Sequence, residues 1–255
     1  MHRYHQFTRG AFYGVVAALP LLLAYELLLL ASGWDVASPV RNAGDVWLRL
    51  LLASLEIEPS RATPAMILIL LLAIPAVKHQ DEHLEPGYLG LLLLEALAYS
   101  LVLGVVIQLL LLVLATLLSQ VVDVAMVGAV TLLSAPLTAV PLAVPMHGGP
   151  LQSLALSLGA GLFEEFLFRV VLLWLLTRIT QAILAPWLAS SIAVVLAAIL
   201  FSMAHYIGPY GDPFQLGSFL FRFFAGLLFT ALYQWRGFAV TAYTHAFYDI
   251  RVFLF

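Results

Sequence analysis

Long apolar runs separated by short polar interruptions set the first expectation for this chain. Ala11 to about Ser32, residues 62–78 and Tyr88–Leu118 are apolar along nearly their whole length. A helix of about 20 such residues crosses a hydrocarbon core roughly 30 Å thick. The apolar residues fill the runs instead of alternating with polar ones, so they predict helices and not barrel strands. Residues 121–144 are a further apolar stretch broken by Pro136 and Pro141, which either crosses or enters and returns under the cover of protein. Further spans are expected near 151–177, 183–206, 217–235 and 238–254, with Trp187 and Trp235 at span ends, where interfacial aromatics belong. The pattern predicts an all-α, polytopic membrane bundle of seven or eight transmembrane helices.

The polar interruptions refine this. After the first run, GWDVASPVRNAGDVWLRLLLASLEIEPSRATP carries mixed charges, and Asp45–Ile57 predicts an amphipathic helix lying on the interface without crossing. The basic start, MHRYHQFTRG, leads into a run too long for a signal-peptide core, so the first span is expected to stay uncleaved. Arg3 and Arg9 favour a cytoplasmic N-terminus. No internal repeat is visible. One membrane domain over residues 1–255 follows, with N-terminal spans and the interfacial helix in 1–149 and the polar motifs in 150–255.

Composition agrees. The 255 residues are 63% hydrophobic and 10% charged, with a mean hydropathy of +1.03, which excludes a water-soluble globule. The absence of cysteine excludes disulfides, thiolate metal sites, cysteine nucleophiles and palmitoylation. A net charge of -3 without a basic patch gives no reason to expect a nucleic-acid partner.

FEEFLFRV, residues 163–170, is the exception that carries chemistry. A mid-membrane charge costs between about 2.5 and more than 10 kcal/mol, so it is expected to face the bundle interior and to pair. Glu165 and Arg169, four apart, share a helix face. Glu164 lies about 140° around the wheel from Arg169. Either Arg169 neutralises both carboxylates, or Glu165 and Arg169 form a clamp while Glu164 points to a wet cavity; spacing favours the second. Ser153, Ser157 and Gly161 continue the Glu165 stripe upstream as small residues that let a neighbouring helix approach. Two more polar clusters follow. His205 ends a span with Phe201 one turn earlier, and the Gly/Pro-rich IGPYGDPFQLG beside it is expected to act as a gate. His245 and Asp249, four apart on the last span, either reach a common metal or water, or form a pair in which Asp249 fixes the tautomer of His245. Taken together, the carboxylates and imidazoles supply what water activation needs: a base, and a centre that steadies an oxyanion. Glu26, Glu95, Gln108 and Asp123 are expected to serve helix-to-helix hydrogen bonding, with Glu26 facing Arg169 or the cavity. His147, and His79 and His83 beside Asp81 and Glu82, read as loop residues.

Glu164-Glu165-x-x-x-Arg169, Phe201-x-x-x-His205 and His245-x-x-x-Asp249, in that order on successive apolar spans, resemble the CPBP (CAAX protease and bacteriocin-processing, or Abi) family of intramembrane proteases. The resemblance covers roughly residues 150–255 and implies a multi-pass endopeptidase, in a bacterial-type cytoplasmic membrane, acting on membrane-associated peptide or protein substrates. By motif position, Glu164 would deprotonate the attacking water with help from His205, while His245 and Asp249 bind a metal or stabilise the oxyanion. Glu165, Arg169 and Phe201 would support them. In the prenyl-protein proteases of this family the last position is usually Asn, whereas bacterial relatives have Asn or Asp, so Asp249 fits the wider family; it suits a metal ligand or a protonated acid better than direct oxyanion stabilisation. Glu164, His205, His245 and Asp249 are four acceptable ligands for zinc or another divalent ion. Two other functions compete. A proton-coupled transporter would use buried Glu, Asp and His, but no inverted repeat supports it. A non-catalytic scaffold or immunity protein would not need chemically competent residues at every motif position.

Overall fold

Backbone groups in hydrocarbon must be satisfied within their own segment, and the chain answers with helix. The computed structural model describes residues 2–32, 41–121, 149–208 and 211–254, and among these no strand occurs. The helices are α1 (His2–Thr8), α2 (Ala11–Ala31), α3 (Ala43–Ser54), α4 (Ala62–Val77), α5 (Pro86–Val121) and α6 (Gly149–Gly159). Two π-helical segments, Ala160–Glu164 and Phe166–Leu172, continue α6 into α7 (Leu173–Gln181), and α8 (Pro186–Ala204) and α9 (Leu216–Leu254) complete the chain.

Five described helices are long and apolar enough to cross a membrane: Ala11–Ala31, Pro59–Val77, Pro86–Leu117, Pro186–Ala204 and Leu216–Phe253. The protein is thus an all-α, integral membrane bundle. The run Leu216–Leu254 is two helices that meet at a kink at Gly237, with φ 80° and ψ -179°, where the expected spans at 217–235 and 238–254 adjoin. Side chains rarely adopt that φ, and a Cβ there would stand 2.4 Å from the carbonyl oxygen of Arg9. The stretch 121–144 past its first residue, with Asp123, and His147 lie outside the described residues.

The described helices fall into two compact units. The first holds α1–α4, α5 up to Ser100, the motif stretch to Val171, and the chain from Leu232. The second holds α5 from Leu101, and Leu172–Ala231.

In the first unit α2 is central. Its Ala18, Leu21, Leu22, Tyr25 and Leu29 form a buried cluster with Ala155, Leu162, Phe163, Ala242 and Ala246. Small side chains make up much of that list because lipid offers no hydrophobic gain for bringing helices together, and close van der Waals approach must hold them. Glu95 on α5 accepts from Arg236 Nε and Nη2, at 2.6 Å each, and from Tyr4 and Tyr99, so it has the helix-to-helix role expected of it.

The interfacial expectation for Asp45–Ile57 requires adjustment. Leu50, Leu51, Leu55 and Ile57 are exposed as such a helix would have them, but the start of α3 is packed: Asp45 is fully buried and Gly44 lies against Phe163. The helix begins inside the unit and leaves it. In the second unit α7 packs on α8, with Thr180 Oγ1 donating to Ala189 O at 3.0 Å, and Ser202 Oγ donates to Phe219 O at 2.7 Å.

Candidate active site

The site grows from the π-helical segments. A π turn closes i→i+5 hydrogen bonds, is rare, and is frequent at functional positions. Here it carries Glu164 and Arg169, with Glu165 at the junction of the two segments. Glu165 and Arg169 are buried, and Arg169 Nε stands 3.1 Å from Glu165 Oε2, the clamp that spacing favours.

The small-residue stripe has its predicted effect, and its partner is the end of α9. A Cβ on Gly161 would lie 2.3 Å from Ala242 O and 2.9 Å from Ala246 Cβ, so only glycine permits this approach. The contact brings His245, 5% exposed, to Glu165: Nδ1 and Oε1 are 2.6 Å apart. A carboxylate only accepts, so Nδ1 carries the hydrogen and donates it. His245 Nε2 faces Asp249 Oδ2 at 3.6 Å, and Asp249 is half-buried. Glu165 therefore neutralises Arg169 with one oxygen and fixes the ring of His245 with the other.

Glu164 is set apart from this pair. It is part-exposed, and its Oε1 accepts from Asn42 Nδ2 at 2.8 Å. Asn42 caps α3, its Oδ1 accepting from Gly44 N–H at 2.9 Å. The same corner holds an ion network. Arg41 donates to both oxygens of Glu26, at 2.9 and 3.1 Å, and to Asp45 Oδ2 at 2.6 Å. Arg49 donates to Asp45 Oδ1 at 2.8 Å, and Thr63 Oγ1 to Glu26 Oε1 at 2.7 Å. Burial works against the charge on Arg41, but its hydrogen bonds to Glu26 and Asp45 outweigh it and hold its pKa above the ordinary arginine value. Glu26 thus serves helix pairing as expected, with Arg41 and Arg49 as partners in place of Arg169.

Phe201 and His205 belong to the second unit. His205 is the C-cap of α8, its Nδ1 lies 2.9 Å from Phe201 O, and its ring meets that of Phe201 edge-on at 5.1 Å. A carbonyl accepts, so this nitrogen is the protonated one and Nε2 is the basic one. The following loop is tied back: Asp212 N–H donates to His205 O at 2.9 Å, and Arg222 pairs with Asp212 and with Ser218 Oγ.

Glu164, Glu165, Arg169, His245 and Asp249 are thus gathered in one unit, and His205 with Phe201 in the other. Among the described residues no group of three or more His, Asp or Glu side chains is disposed to hold a metal ion. Glu165 engages only Nδ1 of His245 and leaves Nε2 facing Asp249, and no step below is routed through a metal. Asn42, Tyr25, Arg41, Asp45, Arg49 and Arg236 were not legible as site or support residues. Asn42 is 122 positions from Glu164, and sequence carries no periodicity at that range.

No curated protein and no solved structure matches the chain. A family model described as type II CAAX prenyl endopeptidase Rce1-like matches residues 146–251, a stretch that contains all three motifs. Over that stretch, less than half of its length, the chain is similar to the CPBP/CAAX family of intramembrane proteases that its three motifs resemble.

Proposed function

We propose that Glu164 is the general base of a peptide-bond hydrolysis whose proton traffic is organised by His245 and His205. The observation that carries this reading is the double commitment of Glu165: Oε1 to His245 Nδ1 at 2.6 Å and Oε2 to Arg169 Nε at 3.1 Å. A carboxylate so engaged is a poor proton acceptor, whereas part-exposed Glu164, held by the amide of Asn42, keeps water access.

Glu164 takes a proton from the attacking water, whose oxygen bonds to the scissile carbonyl carbon. His245 Nε2–H, with Asp249 beside it, faces the oxyanion as it develops, its imidazolium form stabilised by the Glu165 carboxylate behind the ring. The proton on Glu164 then passes to the leaving amine as the C–N bond breaks. By its place in the ordered motifs, His205 assists with its basic Nε2. The substrate class that fits the family description is a prenylated peptide presented from the membrane near its C-terminus.

The test is cleavage of a farnesylated peptide ending in Cys-aliphatic-aliphatic-X by detergent-purified protein. Glu164→Gln is expected to leave it whole while unfolding at the parental temperature. Parental cleavage by that variant would remove Glu164 from the reaction.

A further inference from the structure

The N-terminal half lies outside the stretch that carries the family's motifs, yet it supplies a hydrogen bond that reaches Glu164 from outside its own helix. We propose that Asn42 is a positioning residue for Glu164, and that α3 with its ion network is the device that holds it; this rests on Glu164 being the base.

Three observations support it. The first is that the amide has a fixed orientation. Gly44 N–H can only donate, so the atom 2.9 Å from it is Oδ1, and the atom 2.8 Å from Glu164 Oε1 is Nδ2, a donor aimed at a carboxylate. Asn42 is 7% exposed, so water competes little for that bond. The second is that Asn42 cannot shift alone. Its N–H donates to Tyr25 OH at 3.2 Å, and Tyr25 OH donates to Asp45 Oδ2 at 3.0 Å. Asp45 is gripped by Arg41 and Arg49, which also hold Glu26 on α2. The third is that the start of α3 sits too close to the motif helix for any side chain at position 44. A Cβ on Gly44 would lie 2.9 Å from Phe163 Cβ, one residue before Glu164. The first half of the chain thus acts as a jig for one carboxylate.

Asn42→Ser and Asn42→Asp test this, because Ser and Asp cap helices as well as Asn and keep α3 in place. Neither offers an amide donor: the Ser hydroxyl is taken by the cap and is too short, and Asp turns an acceptor on Glu164. Both are expected to lower kcat on the farnesylated peptide by about 10- to 100-fold, the cost of a base misplaced by about an ångström, with KM unchanged. Both should remain folded, with Asn42→Ser unfolding a few degrees below the parent for the one bond lost. A kcat within twofold of the parent in both variants overturns the positioning role and leaves Glu164→Gln to judge the protease reading. Loss appearing only as raised KM overturns it too. A parent that never cuts the peptide sinks the protease reading instead. Unfolding temperatures of Asn42→Ser, Glu164→Ala and the double variant then decide the contact: a non-additive set supports it, and an additive set overturns it.

Discussion

Gly161→Ala isolates the approach on which the Glu165–His245 contact depends. The added Cβ would start 2.3 Å from Ala242 O, and carbon–oxygen contacts settle at about 3.3 Å or more, so the two helices must part by about 1 Å. His245 Nδ1 and Glu165 Oε1, 2.6 Å apart, would then stand at about 3.6 Å, beyond hydrogen-bonding reach. Overpacking costs about 1–3 kcal/mol and the lost charge-assisted bond about 1.5–3 kcal/mol more. Set against a typical stability of about 5–15 kcal/mol, the variant is expected to fold but to unfold roughly 10 °C lower. Tryptophan fluorescence during heating in detergent micelles reads this, and peptide cleavage should fall about 100-fold in parallel. Gly90→Ala on α5 is the control: a Cβ there meets nothing within 4 Å, and alanine favours helix, so no loss is expected. Gly161→Ala unfolding within about 2 °C of the parent and cutting at the parental rate would refute the argument.

Other outcomes follow from the same geometry. Arg236→Met strips fully buried Arg236 from Glu95 and should cost about 3–5 kcal/mol in thermal unfolding, much of it recovered by the Glu95→Gln/Arg236→Met double variant; a double variant as unstable as the single would contradict a buried pair. Asp249→Asn keeps a side chain of the same shape that donates a hydrogen bond at neutral charge, so turnover should stay within about tenfold of the parent, whereas Asp249→Ala loses about 100-fold. His205→Ala is expected to abolish peptide cleavage while the folded fraction, read by gel filtration, is unchanged; retained cleavage would strike His205 from the reaction.

The residues divide according to how far apart their partners lie. Chain-local features were readable: the Glu165–Arg169 clamp is an i,i+4 pair, and the Ser153, Ser157, Gly161 stripe announced a closely packed neighbour. Identifying that neighbour was not, since Ala242 and Ala246 are two of many small residues in apolar spans. The reading of Asp45–Ile57 shows the limit most clearly. An amphipathic pattern fixes which face of a helix is apolar, but not whether its first turn is buried in protein, and α3 has both an exposed apolar end and a buried acidic start.

By itself the sequence determined that this is a membrane bundle and where its helices run, because the cost of exposing backbone and charge to hydrocarbon acts residue by residue and leaves its mark in composition. Only the tertiary structure decided which ions meet. His245 finds Glu165 across 80 positions, Asn42 finds Glu164 across 122, and Arg236 finds Glu95 across 141. A buried charge demands a partner but does not name one; helix approach, set here by the missing Cβ at Gly161 and Gly44 and by the backbone turn at Gly237, makes the choice.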